Sequence, residues 1–129
     1  AALVFPERRI LGISGDAGFL MNVQEMETAK RLNVNCTVMV WEDKGYGLIK
    51  WKQFNEFGKH TDLDFGNPDW LQLAEAFGWN GQYISNSRDL QAGLEKSFNT
   101  DGPSLVVVPI DYDENQKLTK RLGNIAVSI

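Results

Sequence analysis

Ile10-Leu-Gly-Ile-Ser-Gly-Asp-Ala-Gly18 and Cys36-Thr-Val-Met-Val-Trp-Glu-Asp-Lys-Gly45 decide the fold of this chain. Each holds a short apolar run, Ile10–Ser14 in the first and Val38–Glu42 in the second, and each run leads into an acid with glycine close by. Runs of this length without polar alternation read as strands buried on both faces, the kind that parallel sheets use. If the two strands lie side by side, their carboxyl ends bring Asp16 and Asp43 to one spot. An acid inside a glycine turn repels a bare phosphate. With a divalent cation between them, acid and phosphate become good neighbours, so the pair predicts a metal-bridged diphosphate site.

The chain around these stretches alternates strands and helices. Asn22-Val-Gln-Glu25 has capping-box spacing, with Asn22 as the expected N-cap. Val23, Met26, Ala29 (or Lys30) and Leu32 then recur at helical spacing. Asn67-Pro68 reads as a cap followed by proline at the first helical position. Leu71, Ala74 and Phe77 form the expected apolar face of that helix, and Gly78 its stop. Trp79–Ile84 is a weaker strand. Ser87 opens a helix with Leu90, Leu94 and Phe98 on one face, and Gly102-Pro103 turns the chain into the buried strand Ser104–Ile110. Four strands with helical crossovers predict an α/β fold, an open parallel sheet with helices on both faces. In such sheets ligands bind outside the carboxyl ends of the strands. The stretch from Gly45 to Asn67 has no clear periodicity and reads as a loop beside the site.

Composition bounds the rest. The 129 residues form one domain, large enough to bury about two-thirds of the surface its unfolded chain exposes. Four strands make a narrow sheet, so residues 1–129 are expected to be a domain incomplete at its N-terminal end, a piece of a longer protein. Hydrophobic residues at 43% and charged residues at 23% are ordinary for a globular chain. A net charge of −4 and a pI near 4.9 argue against nucleic acid and anionic membrane as partners. Lys and Arg are scattered apart from Lys50/Lys52 and Lys117/Lys120/Arg121, the latter read as a short solvated helix. The single cysteine, Cys36, forms no intrachain disulfide and reads as a small core residue in a reducing compartment. With no membrane-length apolar stretch and no signal pattern, a cytoplasmic location is expected.

Other side chains carry blander readings. His60, the one histidine, sits in a polar stretch and reads as a surface-loop residue. Asp62 and Asp64 read as solvated loop acids. Trp41, Trp51, Trp70 and Trp79 are spread along the chain and read as packing residues. Two other classes share the α/β build. A phosphoacceptor signalling domain needs a lysine after its last strand, where Val108-Pro-Ile-Asp111 has none. A Rossmann-like nucleotide module prefers G-x-G-x-x-G, whereas Gly12, Gly15 and Gly18 are three apart, and Asp16 repels an unneutralised pyrophosphate. A hard cation such as Mg²⁺ resolves that conflict, since it accepts one or two carboxylates, a backbone carbonyl and phosphate oxygens. The N–H groups of Ala17 and Gly18, together with the start of the following helix, add favourable charge for the anion.

Gly15-Asp-Ala-Gly-Phe-Leu-Met-Asn22, then Asp43-Lys-Gly-Tyr-Gly-Leu-Ile-Lys-Trp-Lys-Gln53, resembles the thiamine diphosphate (ThDP) motif, GDG followed after a long gap by N/D-N/D. The wording is most similar to that of catabolic-type acetolactate synthases. The likeness runs through Phe65-Gly66, the Asn67–Gly78 helix and the Val106–Asn115 stretch, VVVPIDYDEN. It implies the C-terminal, diphosphate-binding domain of a three-domain ThDP enzyme. Carried over, Asp16, Asp43 and the Gly45 carbonyl would be the Mg²⁺ ligands, and Gly15, Ala17 and Gly18 would lie along the diphosphate. Tyr46, Gly47, Leu48 and Ile49 would form the wall near the thiazolium end, with Lys52 or Gln53 towards the substrate.

Two positions depart from the family pattern. Ala17 stands where glycine is usual, which costs about 1 kcal/mol if φ there is positive and nothing otherwise. Glu42 stands where Asn is more frequent, and adds to cation binding only if it points inward. The implied activity joins two pyruvate molecules with loss of CO₂ to give 2-acetolactate, the cofactor carrying the carbanion chemistry. The implied partners are pyruvate or another 2-keto acid, and a pyrimidine-binding domain of the same or a partner subunit, in a homo-oligomer. The activating glutamate lies on that other domain, so no catalytic residue is assigned here and the isolated chain is expected to be inactive. A different ThDP-dependent 2-keto acid decarboxylase is the alternative within the family.

Overall fold

The computed structural model describes residues 1–111. The Lys117–Arg121 segment and the end of the Val106–Asn115 stretch therefore lie outside the described residues. Four strands, β1 (Leu11–Gly15), β2 (Thr37–Glu42), β3 (Asn80–Tyr83) and β4 (Ser104–Pro109), form one sheet in the order β1-β2-β4-β3. Every pairing is parallel, as the apolar runs predict. Leu105, Val106 and Val107 in the central β4 are 0% exposed. Each such side chain contributes about 1.5–3 kcal/mol on burial, so the sheet is anchored at its centre.

Helices cover both faces. On one face α1 (Asp16–Leu20), α2 (Glu25–Arg31) and α4 (Trp70–Ala76) pack Phe19, Met26, Trp70 and Ala74 onto Val38, Val40, Leu105 and Val107, with Trp79 alongside. On the other, Leu90 and Leu94 of α5 (Leu90–Phe98) cover Met39, Ile84 and Val106. That second cover is partial: Ile13 and Trp41 remain 55% and 43% exposed.

Three local expectations change. Asn22 caps no helix. Asp16–Leu20 makes a helical turn of its own straight off β1, and tight turns (Asn22 N–H to Phe19 O, Glu25 N–H to Asn22 O) carry the chain to α2. Asn67 likewise caps nothing, since Asp69 accepts from the N–H groups of Leu71 and Gln72, both at 3.0 Å. The apolar face of α4 accordingly starts at Trp70, and Leu71 is 45% exposed. Gly78 does close the helix, at φ +69°, a conformation that favours glycine. Lastly, the stretch read as a loop contains α3 (Gly47–Phe57), which buries no residue and ends at Gly58 with φ +68°. Its apolar residues Leu48, Ile49, Trp51, Phe54 and Phe57 are distributed around the helix rather than in one stripe, so no one-sided period shows in the sequence.

Candidate metal and diphosphate site

Register brings the acids together. Ser14 pairs with Val40 and Gly15 with Trp41, so β1 and β2 end level, and Asp16 and Asp43 follow at their carboxyl ends. Asp16 is 1% exposed. Its Oδ1 accepts the Ala17 N–H at 2.8 Å. Its Oδ2 accepts the Lys44 N–H at 2.8 Å, the Asp43 N–H at 3.2 Å and Asn67 Nδ2 at 2.8 Å. The carboxylate thereby fixes the turn that carries Asp43. Lys44 holds φ +58° in that turn, a left-handed conformation costing a non-glycine residue about 1–2 kcal/mol. The N–H bond to Asp16 offsets that cost.

The electrostatics follow from this packing. Burial works against the Asp16 charge, but hydrogen bonds from Asn67, Lys44 and Ala17 outweigh it and hold the carboxyl below its ordinary value. Asp43 goes the other way: burial, then the Asp16 charge, push it up to about 6, with Lys50 opposing. The two residues also meet directly, since the Asp43 N–H donates to Asp16 Oδ2. Among the described residues no cluster of three or more His, Cys, Asp or Glu side chains is placed to hold a metal. A pair of converging carboxylates with a backbone carbonyl nearby is nonetheless a donor set that fits a hard cation keeping water or phosphate oxygens, and a divalent charge between the acids relieves their repulsion.

Gly45 is buried beside Asp43. A Cβ there would meet Leu63 O at 2.9 Å and the Lys50 ammonium, so the close approach of chain to chain requires glycine. Lys50 pairs with the exposed Asp64, and Gly45 and Asp64 form an isolated antiparallel bridge. Tyr46 stacks edge-on against Phe65 at 5.2 Å between centroids. Leu48 and Ile49 are 57% and 47% exposed, and Gly47 opens α3. Gln53 accepts the Thr61 N–H at 3.3 Å, and His60 is exposed, as its polar stretch predicts. Gly15 and Gly18 are exposed next to Asp16. Ala17 lies inside α1 and is not among the residues of positive φ, so alanine there costs nothing.

Sequence reasoning misses Asn67, read there as a helix cap, and leaves the direction of Glu42 open. Asn67 donates from Nδ2 to Asp16 and also to Glu42 Oε1, the latter at 3.1 Å. Glu42 points neither to solvent nor to the space between the acids. It is 6% exposed and accepts Trp70 Nε1 at 2.8 Å and Tyr83 OH at 2.7 Å. Burial opposes its charge, but the bonds from Tyr83, Trp70 and Asn67 prevail and lower its pKa, while the same bond and burial raise that of Tyr83. A signal for Asn67 existed. The apolar spacing Trp70, Ala74, Phe77 starts after Asp69, which leaves Asn67 free of the capping role.

An open parallel sheet with converging acids at its carboxyl edge defines an α/β ligand-binding domain. The chain belongs to the family described as thiamine pyrophosphate enzyme, C-terminal TPP binding domain, whose model matches residues 1–108. Its cofactor is thus thiamine diphosphate. It is 35% identical over 130 aligned positions to the acetolactate synthase of Bacillus subtilis, covering 97% of this chain and 23% of that protein. It is 39% identical over 118 positions to the acetolactate synthase isozyme 2 large subunit of Escherichia coli, covering 89% and 21%. The fold matches the ThDP-dependent 4-hydroxybenzoylformate decarboxylase of Rhodococcus jostii with a TM-score of 0.80 at 23% identity, over 88% of this chain and 22% of that one. The chain spans under a quarter of the length of these proteins. Membership sets aside the phosphoacceptor and Rossmann readings. Among the described residues no helix is long and apolar enough to cross a membrane.

Proposed function

We propose that this chain is the diphosphate-holding part of an acetolactate synthase-like enzyme that joins two pyruvate molecules into 2-acetolactate and CO₂. Asp16, Asp43 and the Gly45 carbonyl would hold Mg²⁺, whose charge would offset that of the ThDP diphosphate. Gly15, Ala17 and Gly18 line the diphosphate. Since the Ala17 N–H is engaged by Asp16, its part is packing rather than donation. Tyr46, Gly47, Leu48 and Ile49 border the thiazolium end, which a pyrimidine-binding domain of the same or a partner subunit completes. In this reading the whole protein is a cytoplasmic homo-oligomer, and 1–129 is one incomplete domain of it. The convergence of Asp16 and Asp43 across paired strand ends carries the proposal. Identity to acetolactate synthases over nearly the whole chain supports the substrate. When bound, the cofactor supplies the carbanion chemistry, while this chain orients it and holds the cation that would neutralise its diphosphate.

Calorimetric titration with ThDP and Mg²⁺ together tests the site, with NAD⁺ and acetyl phosphate as comparison ligands. Heat is expected only with ThDP, only with Mg²⁺ present, and not after Asp16→Ala. Equal binding without the metal would refute the ligand assignment. Product analysis of the whole protein separates the two family readings: acetolactate supports the first, and an aldehyde alone supports the decarboxylase.

A further inference from the structure

We infer that Glu42 is a positioning residue for the metal site, acting through Asn67 on the Asp16 carboxylate; this rests on the site proposed above. Glu42 is almost fully buried, yet none of its three donors is a cation: they are the Asn67 amide, the Trp70 indole and the Tyr83 hydroxyl. Such a carboxylate is expensive to bury, and apolar packing alone would not retain it. What it gains is control of Asn67. The Asn67 Nδ2 is shared between Asp16 Oδ2 at 2.8 Å and Glu42 Oε1 at 3.1 Å. Asn67 Oδ1 is buried and has no hydrogen-bond partner among the described residues. The amide orientation is therefore dictated by two carboxylates that both demand the NH₂ group, not by its own oxygen.

Without the Glu42 charge, Asn67 is freer to turn its unpaired oxygen towards a donor and to release Asp16 Oδ2. Asp16 then keeps only its backbone donors, from Ala17, Asp43 and Lys44, and its carboxylate is held less firmly beside Asp43. The same carboxylate joins three elements around the site: the end of β2, the first residue of α4 and the last residue of β3. Trp70, one of its donors, stacks edge-on against Phe19 of α1 at 6.0 Å, so the helix that Asp16 opens is held from the same anchor.

The test uses the whole protein, with Glu42→Gln. Its side chain has nearly the same shape but puts an NH₂ group among donors. Removing a group that orients a metal ligand typically costs about 10–100-fold in metal affinity, and a tenfold or greater loss of Mg²⁺ affinity in the presence of ThDP is expected. Mn²⁺ bound in place of Mg²⁺ should show an altered paramagnetic resonance spectrum, which a loss of folding stability alone does not produce. Unchanged affinity and spectrum with a lowered melting temperature would overturn the proposal. If Glu42→Gln does not fold, Asn67→Ala decides: the relay predicts the same loss of affinity, and wild-type affinity overturns it. Wild-type protein that binds no metal with ThDP would instead refute the site itself.

Discussion

Asp16 is 1% exposed, with both carboxylate oxygens engaged, whereas Leu48, at the other end of the candidate site, is 57% exposed on a helix that buries no residue. The first half is complete within the chain: two strands, a turn and Asn67 hold one carboxylate in place. The second half is an apolar surface with nothing against it among the described residues. The difference shows where the chain supplies its own order and where it offers a wall for something else. A diphosphate end built in this way tolerates little change, while the far end should respond only when the remainder of the protein is present.

Asp16→Ala is the largest break in that contrast. It strips the acceptor from the Ala17 and Lys44 N–H groups and from Asn67, each worth about 1–3 kcal/mol if left buried and unpaired. Partial rehydration brings the expected loss to about 2–4 kcal/mol in urea unfolding, together with loss of metal-dependent ThDP binding. A fold as stable as wild type would show that Asp16 does not order the turn. Next in size, the 129-residue chain alone should form no acetolactate from pyruvate with ThDP and Mg²⁺ added, because the wall at Leu48 and Ile49 faces no second domain. Measurable product from that chain would erase the distinction between the two halves.

Asp43 sharpens the comparison through pH. Its folded pKa, about 6, lies above the ordinary 3.8, so between those values the folded state holds a proton that the unfolded state has released. Stability from this group is full below pH 3.8 and is lost as pH rises through about 6. Asp16 and Glu42, both lowered, have the opposite sign and act only below their ordinary values of 3.8 and 4.5. Metal-free protein should therefore be more stable at pH 5 than at pH 7.5, and Asp43→Asn should flatten that slope. With Mg²⁺ the order reverses, because protons compete with the cation for Asp43. Losing one of two ligand charges should weaken Mg²⁺ roughly tenfold, since charge count tunes such sites. A stability profile unaffected by Asp43→Asn would mean the two acids do not face each other.

The strands and the two acids were legible because their signal is local: uninterrupted apolar runs such as Val38–Val40 and Leu105–Val108, each inside one strand. The parallel register that makes Asp16 and Asp43 neighbours follows from them. Asn67 and Glu42 were hidden for the opposite reason. Asn67 precedes proline and so resembles a cap, which masks the apolar spacing from Trp70 that puts the cap at Asp69. The direction of Glu42 stays open in the sequence, because its burial depends on Tyr83 and Trp70, distant in sequence. The α3 helix escaped because it buries no residue, and a one-sided stripe arises only when one side is buried.

Leu48→Ala makes the smallest expected change and tests the other end of the comparison. A side chain already 57% exposed gives up little on truncation, so the stability change should stay within about 0.5 kcal/mol. In the whole protein the same substitution removes apolar area from the wall proposed to border the thiazolium. If that wall meets the substrate or the second domain, KM for pyruvate should rise severalfold while Mg²⁺ affinity, set at Asp16, stays put. A shift in Mg²⁺ affinity without a shift in KM would place Leu48 with the diphosphate half. The division of labour proposed for the two ends would then be wrong even if both ends belong to one site.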